Sequence, residues 1–590
     1  MNRKARSGLV LTLLLVGMLP LAFNIELTKA EPEMWYVDDD GGADFTRIQD
    51  AIDAAAFMGD TIYVYNGIYY ENLHISKSLT LMGEDRSQTI IDGGGKTVVS
   101  IFANSVGVSR FTIRNGGISP WHQYASGIYL RAAKSCRISD NIVSGSMWGI
   151  TLEKASGNTV SGNTISNVTY GVPFYGPVYY NIVRDNSISD AKLAIFFNGD
   201  MPSHYNTVAG NQISNSEKGI YFNYPYHNTV AGNTIKDMVG YATYGIQLQL
   251  GGNDNIVTDN TVSDCDYGIA IRRSDRNILS GNTVFNSVYG IELREQSVEN
   301  TVADNNLKGN ALAITIWDSN LNTVINNNLT SNDYGIELWA PSEENMIIQN
   351  VILNHGIGIT LDGGVNNVIA ENTIADNDVG IWRREAYSND IYHNSFVNNS
   401  PQVFDISWIY TEYAPSVDTW DNGYLSGGNY WSDHGTDDVY SGVNQDEPGL
   451  DGIVDEPYII DEHNRDRYPL VHPIIHATVD FKAWNKGKWI PAYIELPEPF
   501  SASGIDVSTV KLNDTIAIGK PTGIGDYDSD GIPDLMVKFD SAEVRDWLAT
   551  LDCPVRGGYY HITLTITGKL TDGKRFGGSK PYVSIFAKSK

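Results

Sequence analysis

Asn206-Thr-Val-Ala-Gly-Asn211-Gln-Ile and Asn228-Thr-Val-Ala-Gly-Asn233-Thr-Ile are two copies of one phrase, set 22 residues apart. It stands earlier as Asn158-Thr-Val-Ser-Gly-Asn163-Thr-Ile and later as Asn277-Ile-Leu-Ser-Gly-Asn282-Thr-Val. Its second asparagine is followed through positions 141, 163, 186, 211, 233, 260, 282, 305, 328, 350, 372 and 394, at spacings of 22 to 27 residues. A second phrase keeps step: Trp148-Gly149-Ile150, Tyr170-Gly171-Val172, Tyr244-Gly245-Ile246, Tyr267-Gly268-Ile269, Tyr289-Gly290-Ile291 and Tyr334-Gly335-Ile336.

Each repeat holds short β-branched runs punctuated by Asn, Gly, Ser and Asp, which is strand and turn chemistry with no room for a helix. Leucine-rich repeats need Leu at fixed sites, and propeller blades need roughly 40 residues per unit. Winding about 22 residues into three short strands per turn satisfies both period and composition. The expected fold is therefore all-β: a right-handed parallel β-helix over residues 31–400, with each turn asparagine bonded to its copy on the next coil. With coils about 4.8 Å apart, some sixteen make a rod roughly 75 Å long. Thr46-Arg-Ile-Gln49 reads as a capping box opening a helix through Ala55, closed by Gly59, that covers the rod's first coil. Residues 401–475 read as the cap of the far end, and residues 476–590 as a small β-sandwich with strands at 477–481, 489–496, 535–539, 561–566 and 583–586.

Residues 1–30 read as an export signal: Arg3, Lys4 and Arg6, an apolar run from Leu9 to Phe23, then Thr28-Lys29-Ala30. The run is short for a bilayer span, so a secreted or cell-surface protein without a membrane span after cleavage is expected. Over 590 residues, 70 Asp and Glu against 41 Lys and Arg give a net charge of −29, which argues against a nucleic-acid partner. Soft metal ligands are scarce: three cysteines, and eleven scattered histidines. Cys136 and Cys265 fall about five coils, roughly 24 Å, apart and are expected to be free thiols.

The coils resemble the NosD-like right-handed β-helix family and the wider class of carbohydrate-binding and sugar-hydrolysing β-helices. Trp420-Asp-Asn-Gly, Gly427-Gly-Asn-Tyr-Trp-Ser-Asp433, Asp451-Gly-Ile-Val-Asp455-Glu-Pro-Tyr458 and Asp466-Arg-Tyr-Pro-Leu470 resemble that family's C-terminal signature. Such chains are typical of archaeal cell surfaces. The family's name implies a periplasmic role in delivering copper to a reductase.

In the phrase Gly-Ile-x-Leu-x, Ile and Leu point inward and both x positions outward. One outward column contains Phe196, Tyr221, Gln247, Glu292, Thr315, Glu337, Thr360 and Trp382, and the next contains Arg272, Arg294, Trp317, Trp339, Asp362 and Arg384. Rings that stack on pyranose faces and polar groups that take up hydroxyls make this strip a glycan-binding candidate, with Phe196, Tyr221, Arg272, Arg294, Trp317, Trp339, Asp362 and Trp382 as its residues. Glu292 and Glu337, about 9.6 Å apart along one column, give the alternative of a polysaccharide hydrolase, lyase or epimerase. The tyrosine of Tyr-Gly-Ile has inward parity and is expected in an internal aromatic ladder. In the C-terminal module, Asp526-Tyr-Asp528-Ser-Asp530-Gly531-Ile-Pro-Asp534 follows the start of a calcium loop, with Val537 where an EF-hand has its bidentate Glu. Structural calcium is the expected cofactor.

Overall fold

The computed structural model describes residues 32–587, apart from 57, 122–124, 199–202, 411, 483–487, 514, 520–522, 552–554 and 557–558. The expected signal peptide and Cys553 lie outside the described residues. Each coil contributes three strands, as in Ile278–Ser280, Thr283–Phe285 and Tyr289–Arg294. The coil strands pair in parallel with their copies one coil on, for example Ile278↔Thr301 and Glu292↔Thr315, with register shifts near Met58, Ser144 and Tyr387. The first strands stack into a sheet of seventeen, and the second and third families share one of twenty-eight. They share it because early strands such as Ile142–Glu153 and Thr164–Tyr175 run round the corner without a break. Inside, alternate Ile, Val, Leu and Phe side chains form one continuous core.

The turn asparagines are buried and bonded coil to coil. The Asn233 main-chain N–H and its Nδ2 both donate to Asn260 Oδ1, at 3.0 and 2.9 Å, and Nδ2 also reaches Val208 O at 3.0 Å. A second ladder runs from Asn158 through Asn255 and Asn322 to Asn389 and ends on Asp418, whose carboxylate accepts from Asn389 N and Nδ2. One rung differs from the sequence reading. Asn327, not Asn328, stands between Asn305 and Asn350, while Asn328 is exposed and opens the next strand. Three consecutive asparagines hid the register.

The N-terminal helix spans Ile48–Ala54, and its start corrects the expected capping box: Arg47 is the N-cap and makes no side-chain bond. Glu71, one coil on, accepts Ile48 N at 2.8 Å and Gln49 N at 3.0 Å instead. A carboxylate at a helix N-terminus serves the same orphan N–H groups that a Thr would.

At the other end, Phe396, Trp431 and Tyr458 stack face to face at 4.3 and 4.1 Å and close the apolar core. Arg383 occupies the inward position that Leu361 and Leu338 hold on earlier coils, fully buried. Asp418 and Asp461, both at 3.1 Å, and Asp405 at 3.6 Å neutralise it. The signature residues knit this cap: Asp466 accepts from Asn429 N and Trp431 Nε1, and Arg467 pairs with Asp421.

Beyond Ile475, sheets of six and four strands enclose a second core. The observed strands include Thr478–Phe481, Trp489–Glu495, Asp534–Asp540, Tyr559–Leu570 and Arg575–Phe586. Ile505–Leu512 and the helix Ser541–Leu548 were not anticipated. This module docks along a row of solenoid turns. Asn326 Nδ2 donates to Ser579 O at 3.0 Å, Thr373 Oγ1 meets His476 Nε2 at 3.0 Å, and Arg575 donates to the carbonyls of Ser426 and Leu425.

Candidate functional site

The third strand of each coil builds the candidate face. Its register sets Phe196↔Tyr221↔Gln247↔Ala270↔Glu292↔Thr315↔Glu337↔Thr360↔Trp382 in one column. Arg272↔Arg294↔Trp317↔Trp339↔Asp362↔Arg384 form the column beside it. All ten candidate residues of the strip therefore lie on one face.

A third column stands next to these, and it corrects the expected inward tyrosines. A Cβ on Gly245 would come within 2.3 Å of Val262 Cγ1 and 2.6 Å of Gly268 O. The glycine thus takes the inward place, and the tyrosine before it is turned outside. Tyr244, Tyr267 and Tyr289 stack at 4.6 and 4.8 Å, outside the core, with the Arg272 guanidinium 5.0 Å above Tyr267.

Half of the strip largely satisfies itself, Asn223 Oδ1 being the buried atom there without a partner. Phe196 stacks on Tyr221 at 5.5 Å; Lys218, which sequence reasoning missed, lies 4.3 Å above Tyr221 and donates to Gln247 at 3.0 Å. Gln249 bonds both Gln247 and the Tyr221 hydroxyl. Glu292, only 1 % exposed, accepts from Arg272 Nε and Nη2 at 2.9 and 2.7 Å, with Arg294 Nη1 at 3.6 Å. Arg294 in turn stacks 3.9 Å above Trp317.

Further along, the strip leaves polar atoms unmatched. Thr315 Oγ1, Glu337 Oε2 and Thr360 Oγ1 are buried with no hydrogen-bond partner, on three successive coils of one column. Burial pushes the Glu337 carboxyl up to about 7, with the Asp362 charge adding to the shift and a hydrogen bond from the Trp339 side chain opposing it. Trp317 and Trp339 flank this segment, ring centroids 5.7 Å apart, with Trp339 38 % exposed. Asp362 is held by Arg384 through Nε and Nη2, and Arg384 lies 6.0 Å from the ring of Trp382. The two glutamates expected to act together thus differ: Glu292 is clamped by arginines, whereas Glu337 is a weakly acidic carboxyl among orphaned hydroxyls. Buried polar groups without partners are uncommon and each calls for an explanation.

In the module, carboxylate oxygens of Asp526, Asp528 and Asp534 lie within 4.8 Å of one another, as do those of Glu495, Asp528 and Asp530. Asp526 accepts from Ser529 N and Gly531 N, which curls the loop. Burial and the surrounding acids push Asp534 upward and Glu495 up to about 7. Glu495 joins the cluster because Ile494 pairs with Leu535 across antiparallel strands, a register that spacing alone does not reveal. The donors fit a hard cation: oxygens only, several of them carboxylates, in a glycine-turned loop.

The donors do not fit copper. Among the described residues, the groups of three or more His, Cys, Asp or Glu able to share an ion are all acidic. Cys136 and Cys265 are free but buried, with burial pushing the Cys265 thiol up to about 11. His355 is a ladder rung bonded through both ring nitrogens, and burial pulls His476 down to about 4. No helix among the described residues is long and apolar enough to cross a membrane.

The family model for periplasmic copper-binding protein (NosD) matches residues 54–239, 203–357 and 323–436. A cell surface glycoprotein of Methanothermus fervidus is 32 % identical over 103 residues, 17 % of this chain and 16 % of that one. The chain therefore aligns with about a sixth of that relative's length. Among solved structures, a double mutant of the periplasmic alginate epimerase AlgG is similar at 12 % identity and TM-score 0.36, covering 61 % of this chain and 83 % of that one. A mutant tailspike protein of E. coli bacteriophage HK620, in complex with a pentasaccharide, is similar at 12 % identity and TM-score 0.39, covering 84 % and 88 %. These two likenesses concern the fold alone.

Proposed function

The chain belongs to the NosD family, and from that premise we propose that it is an exported cell-surface β-helix that binds glycan along the Trp317–Trp339 segment without turning it over. The observation that carries this reading is the column Thr315–Glu337–Thr360, whose buried polar atoms lack protein partners beside two tryptophan rings. A sugar chain lying along the strip would set ring faces on the indoles, and a shift of the side chains over the column would bring its hydroxyls to those atoms. The cell surface glycoprotein of M. fervidus supports an extracytoplasmic place. Among the described residues the groups able to share an ion are all acidic, so no step is assigned to copper.

One observation favours a second reading as an enzyme. A carboxyl titrating near 7 suits a general acid, which makes Glu337 the residue on which a hydrolase, lyase or epimerase would depend. Against it stands Glu292, whose charge is spent on Arg272 and Arg294. A glycan array followed by assay of the bound glycans for new reducing ends and unsaturated uronates separates the two. Binding with no product supports the rod as a binder; product lost in Glu337→Gln would establish the enzyme instead.

For the C-terminal module we infer a structural calcium ion held by Asp526, Asp528, Asp530 and Asp534, with Glu495 as an additional ligand. Bound calcium would neutralise acids that otherwise repel one another and so hold the loop's curvature. Calorimetric titration with calcium tests this; absence of a binding isotherm in chelator-stripped protein would exclude it.

A further inference from the structure

Where the module meets the end of the solenoid there is a cavity of about 470 Å³, within the range of small-molecule sites. Its polar wall runs against the charge of the whole chain. Lys511, Lys569 and Arg575 converge there, with His393, against the single carboxylate of Glu371, although acids outnumber cations 70 to 41 overall. The strand register makes the gathering deliberate in space. Lys569 stands directly opposite Arg575 in the pairing of Tyr559–Leu570 with Arg575–Phe586, and Lys511 stands opposite Thr567 on the next strand. Like charges directly opposite one another destabilise a sheet.

Two features bear on how that repulsion is held. Lys569 is exposed, yet partial desolvation within the cavity lowers its ammonium and the Arg575 charge lowers it further, with Asp451 pulling the other way. Neither the Lys511 nor the Lys569 ammonium has a hydrogen bond or ion pair among the described residues. Arg575, by contrast, is fixed in place by the carbonyls of Ser426 and Leu425. The lining also carries the apolar side chains of Leu425 and Ile474, with the buried Phe576 ring beside Gly568. A ligand that matches this lining carries an oxyanion for the cations and a non-polar face for Leu425 and Ile474.

We propose that this cavity binds an acidic sugar unit, a pyranose bearing a carboxylate or a sulfate ester, and that it is a second carbohydrate site separate from the Trp317–Trp339 strip. The shared chemistry is an oxyanion on a six-membered ring, and the two sources differ in the group that carries the charge.

The test titrates the full chain by calorimetry with a uronate disaccharide, a sulfated disaccharide, a neutral disaccharide and inorganic sulfate. One of the two acidic disaccharides binds, and which one identifies the source. That binding weakens at least ten-fold in Lys511→Glu/Lys569→Glu, weakens with added salt, and is unchanged in Trp317→Ala/Trp339→Ala. Both lysines are exposed, so an unchanged melting temperature in the double variant, and in Lys511→Gln/Lys569→Gln, shows that the fold survives. Failure of both acidic sugars to bind would overturn the proposal. So would equal affinity for the neutral sugar, equal affinity for inorganic sulfate alone, or an unaltered isotherm in the double variant. An array signal that disappears only in the tryptophan variant belongs to the strip, so the two sites fail separately.

Discussion

Glu292 and Glu337 stand two coils apart in one column, and their neighbours alone decide their chemistry. Arg272 and Arg294 pair with Glu292, while Glu337 has no cation partner among the described residues and is 3 % exposed. A carboxyl raised from 4.5 to about 7 in the folded state contributes stability that is present below pH 4.5 and lost as pH rises through 7. Glu337→Gln is therefore expected to be nearly neutral at pH 5 and to stabilise the chain by about 1–3 kcal/mol at pH 8, read by denaturant melts at the two pH values. Equal effects at both would show that the group is already ionised. Asn260 illustrates the other kind of buried polar residue. Asn260→Ala strands the Asn233 N–H and Nδ2 groups, and a loss on the order of 1–3 kcal/mol is expected in the same melts. Residue direction was largely legible in the sequence, since period-two alternation fixed which Ile and Leu point inward. It failed at Tyr-Gly-Ile because Gly245 has no Cβ to exclude it from the core side, so the strict alternation broke by one place.

At the scale of elements, the acidic cluster of Asp526, Asp528 and Asp534 was legible because its members lie close in sequence. Glu495 was not, being more than thirty residues away and brought in by strand pairing. Glu495 is also raised, to about 7, by burial and by Asp530, Asp534 and Asp528. In the absence of a cation the module accordingly loses stability between pH 4.5 and 7. Calcium is expected to raise the module's melting temperature more at pH 8 than at pH 5, with the difference abolished in Asp528→Asn/Asp534→Asn. A shift of equal size at both pH values would contradict the assignment. The cap makes a second element-scale prediction. Arg383 is enclosed by Asp405, Asp418 and Asp461, and removing one partner from a buried cluster leaves charge uncompensated. Asp418→Ala is expected to cost about 3–5 kcal/mol, measured by denaturation of the solenoid. The capping box at Thr46 was misread for a related reason: the true cap, Glu71, comes from the next coil, and local spacing carries no trace of it.

Over the whole molecule, a repeat of about 22 residues is enough to fix a solenoid, because each coil can bury its apolar side chains only against the next. What the repeat does not fix is everything that breaks it. The module's docking along the turns at Asn326, Thr373 and Ser426 depends on contacts separated by more than a hundred residues. The same holds for the cationic cavity beside it. The candidate strip lies between these cases: its columns were legible from the period, but its division into a largely self-satisfied half and an unmatched half depends on side-chain pairing. The most direct test of glycan binding at the unmatched half is the affinity of an array-positive polysaccharide, titrated by calorimetry against the full chain and against Trp339→Ala. A loss of roughly ten-fold or more, about 1.4 kcal/mol, with no released product is predicted. An unchanged affinity in Trp339→Ala would contradict it and remove the strip as the site of binding.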